Sequence, residues 1–231
     1  DLCAVTVDPT STKNVLIWEK PASASIDSFR IYREIASVYT HIASVPYYSL
    51  SELTDTTNGV NPNITSYKYE ISSVDSCGNE SPLSLFHQTI HMQVSPAAPW
   101  GYNLNWNDYI GFTFPQYRIW RDTIGLGIYH RADSVSFSNN SWTDINNYSI
   151  QDTVSYFIEI DHATGCVSSI KNPGTMATNL NSSKSNVYKI ADTTLTGVPG
   201  VTDNYLVTIF PNPSTGLFTL ELNNNMEGGE V

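Results

Sequence analysis

The sequence predicts an all-β protein: two tandem β-sandwiches followed by the first strands of a third, truncated β-sandwich module. Three observations predict this. The chain repeats itself: Trp18 and Phe29-Arg30-Ile31-Tyr32-Arg33 recur as Trp106 and Tyr117-Arg118-Ile119-Trp120-Arg121 at an offset of 88. Leu53-Thr54-Asp55, Ser66-Tyr67, Glu70-Ile71 and Cys77 recur as Trp142-Thr143-Asp144, Ser155-Tyr156, Glu159-Ile160 and Cys166 at 89, which marks two homologous units. Apolar residues alternate with period two inside each unit, as half-buried strands require. Charged residues are only 14% of the 231, and the abundance of Ser, Thr, Asn and Tyr suits strands and turns.

The elements follow in order. Leu16 with Trp18, Phe29 with Ile31, and Tyr67 with Tyr69 and Ile71 share strand faces in the first unit. Leu104 with Trp106, Tyr117 with Ile119, and Tyr156 with Ile158 and Ile160 do so in the second. Asn58-Gly59, Asn61-Pro62-Asn63 and Cys77-Gly78-Asn79 supply turn chemistry between the runs. Ser95-Pro96-Ala97-Ala98-Pro99 lacks the donors to continue a central strand, so the first domain is expected over residues 1–94 and the second over 95–187. A polar, Gly/Pro-punctuated linker is expected over 188–206, and the last module over 207–231. There, alternation resumes on both sides of Pro211-Asn212-Pro213, predicting a hairpin whose turn prolines cannot join a ladder and whose Gly216 is free to take positive φ.

Composition excludes several functions. A net charge of −11 disfavours nucleic acid and anionic lipid, both of which need clustered Lys and Arg. No apolar run reaches the roughly 18 residues a membrane helix needs, and Asp1-Leu2-Cys3 does not open a signal peptide; a fragment of a longer protein is expected. The three cysteines form no zinc-type spacing. His87 and His91 fall on a strand, where four residues span about 13 Å, too far for one ion, and read as polar positions of an edge strand. Asp161-His162 has no placed nucleophile beside it. No catalytic residue, metal or cofactor is expected, and the chain is read as no enzyme. Tyr47, Tyr48, Trp100, Tyr102 and Tyr109 lie in loops or at the junction, where they either pack between modules or hold a surface glycan or protein.

Trp18 with Pro21, the Phe29-x-Ile31 strand, and the Tyr67-x-Tyr69-x-Ile71 strand ending in Val74-Asp75-Ser76-Cys77-Gly78-Asn79 together resemble a fibronectin type III domain, and the second unit resembles it more loosely. The resemblance implies that Trp18 and Trp106 fill the space between the sheets. It implies that Tyr67 and Tyr156 bond back across a strand corner. It also brings Cys3 to the pole where Cys77 lies, implying a Cys3–Cys77 disulfide with Cys166 unpaired.

Ile209-Phe210-Pro211-Asn212-Pro213-Ser214-Thr215-Gly216-Leu217-Phe218 is similar to the opening of the C-terminal sorting domain (Por secretion tail) carried by type IX secretion cargo. This implies a bacterial cargo protein exported across the outer membrane, secreted or held at the cell surface. Its partners would be the type IX translocon and its cargo-binding shuttle protein. Asp55-Thr56-Thr57, Asp122-Thr123-Ile124, Asp133-Ser134-Val135, Asp152-Thr153-Val154 and Asp192-Thr193-Thr194 resemble the O-glycosylation sequon of bacteria with this route. Either Thr56, Thr123, Ser134, Thr153 and Thr193 carry sugar, making a glycoprotein, or these are turns entering strands. The expected function is non-catalytic: spacer modules ahead of a sorting signal. The alternatives are adhesion through loop aromatics, and the accessory tail of an upstream hydrolase.

Overall fold

The computed structural model describes residues 1–21, 25–146, 153–168 and 179–190, and the strand backbone of 206–210 and 219–223. The chain divides into two compact units, Asp1–Asp192 and Thr193–Val231. All described regular structure is β.

The first sandwich contains β1 (Leu2–Val7), β2 (Asn14–Trp18), β3 (Ile26–Ile35), β4 (Val38–Pro46), β5 (Glu52–Asp55), β6 (Lys68–Asp75) and β7 (His87–Gln88). They form a β1-β2-β5 sheet facing a β4-β3-β6-β7 sheet. The second contains β8 (Met92–Pro96), β9 (Tyr102–Trp106), β10 (Gln116–Asp122), β11 (His130–Ser136), β12 (Ser141–Asp144), β13 (Val154–Val167), β14 (Asn179–Lys184) and β15 (Tyr188–Ile190). Its sheets are β12-β9-β8 and β11-β10-β13-β14, with β15 also on β13. A three-stranded sheet facing a larger one, four strands in the first copy and five in the second with the first four in the same order, is a fibronectin type III-like sandwich in duplicate.

The alternating residues pack as the pattern requires. Trp18, Ile31 and Tyr69 are fully buried in the first sandwich, and Leu104, Tyr117, Ile119, Tyr156 and Ile158 in the second. Trp18 meets Phe29 at 5.7 Å between ring centroids, and Trp106 meets Tyr117 at 5.4 Å. Each tryptophan fills its core as expected. Gly101, at φ +92°, is required at the β8–β9 turn, because a Cβ there would meet the Asp144 carbonyl oxygen at 1.9 Å.

Two boundaries shift. Ser95 and Pro96 are no connector: they end β8, opposite Asn103 and Tyr102. Pro96 is tolerated because β8 is an edge strand, where a missing donor breaks no ladder. Tyr188–Ile190 belongs to the second sandwich rather than the linker, pairing with β13 and packing Ile190 against the core. The corner tyrosine is present once. The Tyr67 hydroxyl donates to the Gly59 carbonyl at 3.0 Å and accepts from the Asn61 N–H at 2.8 Å. Tyr156 does not repeat this role: strand register pairs Arg33 with Tyr69 and Arg121 with Tyr156, so Tyr156 is the counterpart of Tyr69.

That register exposes a duplicated polar clasp between sheets. Arg33 of β3 donates to Asp55 of β5 at 2.7 Å, and Tyr69 of β6 donates to the same carboxylate oxygen at 2.9 Å. Asn14 of β2 donates to the Tyr69 hydroxyl at 2.8 Å. In the second sandwich Arg121 and Tyr156 donate to Asp144 at 2.7 and 2.9 Å. Arg33 and Asp55 are 6% and 0% exposed, so neither charge has water to fall back on, and burial with the neighbouring carboxylate pushes the Tyr69 hydroxyl well above its ordinary pKa.

In the second unit β16 (Leu206–Phe210) and β17 (Thr219–Asn223) pair antiparallel, Phe210 opposite Thr219. This is the hairpin the alternation predicts; Pro211–Phe218 and Thr193 lie outside the described residues.

Asp55→Ala strands a buried guanidinium and is expected to cost about 3–5 kcal/mol, measured as a fall in the urea midpoint. Arg30→Ala, which breaks the solvent-exposed Arg30–Glu80 pair, leaves the midpoint within error.

Candidate functional site

β1 is buried at every position, Leu2 through Val7, where a half-buried strand would alternate. Leu2 and Val5 enter the large core, while Cys3 and Ala4, with Ile17, pack against Cys166, Phe112 and Leu180 of the second sandwich. Side chains link β1 and the loop after it to β14 and the residues beyond. Ser183 Oγ donates to the Val5 carbonyl at 2.7 Å, the Lys184 N–H to Thr6 Oγ1 at 2.8 Å, and the Val187 N–H to Ser11 Oγ at 2.9 Å. Each sandwich therefore satisfies polar groups of the other.

The disulfide follows from this contact and corrects the expected pairing. Cys3 bonds Cys166, with Cα atoms 5.9 Å apart, and Cys77 is an exposed free thiol. Cys3 points out of its own sandwich and toward β13, a direction that the topology of one isolated domain does not contain. Asp161 and His162 sit within β13, not in a loop. His162 Nε2 is 4.0 Å from Cys3 Sγ, and the ring lies on Phe112 at 4.4 Å. Cys3, His162 and Cys166 have ligand atoms within 4.8 Å of one another, a cluster that chain spacing does not reveal. With the sulfurs joined to each other, neither is a thiolate ligand.

His87 is not an exposed edge residue. It is 8% exposed, its ring meets Tyr109 at 6.3 Å, and a Cβ on Gly111 would come within 2.5 Å of Nδ1. Burial, helped by the positive charges of the Asp1 ammonium and then of His162, lowers its pKa to about 4.

The loop aromatics divide. Tyr47 stacks on Phe29 at 6.0 Å and Tyr109 is buried, whereas Tyr48 and Trp100 are exposed. Of the Asp-Thr/Ser sites, Asp55 serves the clasp, and Asp122 accepts the N–H groups of Ile124, Gly125 and Gly127. Thr56 is exposed, while Thr123, Ser134 and Thr153 are half-buried.

An unanticipated feature is a cleft of about 520 Å³ on the outer face of β10 and β13, closed on one side by Asp8 and Pro9 of the first sandwich. Trp120 lies directly opposite Phe157 across the ladder, the rings stacked at 5.9 Å and 11°, and Tyr129 meets Phe157 edge-on at 4.8 Å. Lys184 Nζ lies 5.1 Å from the Phe157 centroid and 3.6 Å from Glu159. Arg118 Nη2 holds the other Glu159 oxygen at 3.2 Å, and Ser182 donates to Glu159 at 2.7 Å. Burial alone would raise the Asp8 carboxyl, but donors from Thr10, Lys13 and Thr12 outweigh it and hold the pKa below its ordinary value. The signal was in the sequence: Trp120 and Phe157 fall on the outward, polar phase of strands whose inward phase is Tyr117-Ile119 and Tyr156-Ile158.

No protein-family profile matches the chain, and no curated protein does. Among solved structures it is similar to the chicken CNTN1 FN1-FN3 domains, at 12% identity and TM-score 0.31, over 78% of this chain and 66% of that chain. It is also similar to the chicken interferon gamma receptor alpha chain, at 10% identity and TM-score 0.28, over 82% and 95%. No described helix is long and apolar enough to cross a membrane.

Alkylation of the native protein is expected to label Cys77 alone, and peptide mapping to recover Cys3 linked to Cys166. Cys3→Ser should lower stability by up to about 5 kcal/mol on the chain-entropy account of a 163-residue separation, and Cys77→Ser should not. His87 titrates lower in the folded state than the ordinary 6.5, so the unfolded chain takes its proton first. Stability is full above pH 6.5 and falls by about 3 kcal/mol as pH drops to about 4. Thermal melts across that window check this, and His87→Phe should flatten this step.

Proposed function

We propose that this chain is a non-catalytic, exported part of a bacterial surface or secreted protein, in which a clamped pair of sandwiches precedes a type IX sorting segment. The observation that carries the reading is the C-terminal string itself. Ile209 and Phe210 end β16, Pro211-Asn212-Pro213-Ser214-Thr215-Gly216 follows, and the chain returns as β17 in a unit separate from the sandwiches. A sorting signal must be read by its translocon and shuttle independently of the cargo, and a separate unit suits that.

The disulfide supports an oxidising destination, since cytosolic thiols are kept reduced. The clamp also modifies the spacer idea. Two sandwiches sharing β1 and joined by a disulfide form one compact body, suited to carrying a passenger through export intact rather than to length.

Deleting residues 193–231 removes one compact unit and leaves the disulfide and both cores in place. In the native cell the truncated protein should accumulate folded in the periplasm, while the full chain reaches the outside; fractionation followed by immunoblotting reads this. Export of the truncated chain at the full-length level overturns the sorting role.

A further inference from the structure

We propose that the cleft over Trp120, Tyr129 and Phe157 binds a saccharide, laying the C–H face of a pyranose ring on the aromatic side chains.

The two sandwiches provide an internal comparison. Inward residues keep their chemistry between copies: Arg33 and Arg121, Tyr69 and Tyr156, Ile31 and Ile119 occupy the same register. Outward, they diverge. Tyr32 lies opposite Glu70 in the first sandwich, and its counterpart Trp120 lies opposite Phe157 in the second. Phe157 is 8% exposed, but Trp120, Tyr129 and Lys184 cover it rather than the core between the sheets, so that core does not explain the change from a carboxylate. The half-buried rings of Trp120 and Tyr129 are the ones open to the cleft. The rings make a cleft wall rather than a scattered apolar surface, and the volume falls within the range of small-ligand sites, about 300–1,000 Å³.

Charge selects the ligand class. Lys184 already holds the cation position over Phe157, which disfavours a second cation such as a quaternary ammonium. Asp8, Glu159 and the net charge of −11 disfavour a polyanion. What remains is a neutral ring with one apolar face and a hydroxyl-bearing edge. Aromatic faces take the first, while Lys184 as donor and Glu159 as acceptor stand beside them for the second.

The test is titration of the full chain, by tryptophan fluorescence and calorimetry, with cellobiose, chitobiose, maltose and mannobiose, then an immobilised glycan array. At least one glycan should bind saturably, and Trp120→Ala, with its melting temperature checked, should weaken that binding tenfold or more. If Trp120→Ala does not fold, Tyr129→Ala and Lys184→Gln carry the test, each expected to weaken binding at least threefold. Absence of binding across the array, binding that survives these substitutions in folded protein, or tighter binding of choline or a peptide than of any glycan overturns the proposal.

Discussion

Strand β1 is held by two cores at once, and the remaining geometry depends on that. Its backbone ladder belongs to β2, and its outward side chains and following loop belong to the second sandwich through Ser183, Lys184 and Val187. Because both faces are covered, the strand reads Leu-Cys-Ala-Val-Thr-Val rather than alternating. The disulfide, the burial of His87 and the cleft wall supplied by Asp8 and Pro9 all follow from bringing the sandwiches together there. A strand serving two cores couples their stabilities, so the pair melts as one unit to the extent that this contact holds.

Within each sandwich a different constraint operates. Arg33 with Asp55, and Arg121 with Asp144, span the two sheets at one end of the core, each with a tyrosine hydroxyl completing the carboxylate. Buried pairs of this kind stabilise little against an apolar replacement but are costly to half-remove. Their repetition at the same register shows that this clasp, with the central tryptophan, is what the two copies share. The outer faces are free of that requirement, and there the copies differ most: Tyr32 and Glu70 against Trp120 and Phe157.

The sequence by itself determined the fold class, the duplication and the C-terminal hairpin, because each is written in local alternation or turn chemistry, while the core tryptophans and the Tyr67 corner were implied by its resemblance to a fibronectin type III domain. An aromatic at an outward position, such as Phe157, was also legible there as a departure from alternation. Tertiary structure alone decided the Cys3–Cys166 pairing, the Cys3–His162–Cys166 cluster, the burial of His87 and the cleft. Each joins residues of different domains, and the packing of one domain on another leaves no periodic trace in either. The offset of the last repeat strand was likewise decided by register: Tyr67 and Tyr156 align in sequence, but hydrogen-bonded pairing matches Tyr156 to Tyr69, since only that places a hydroxyl on the buried aspartate.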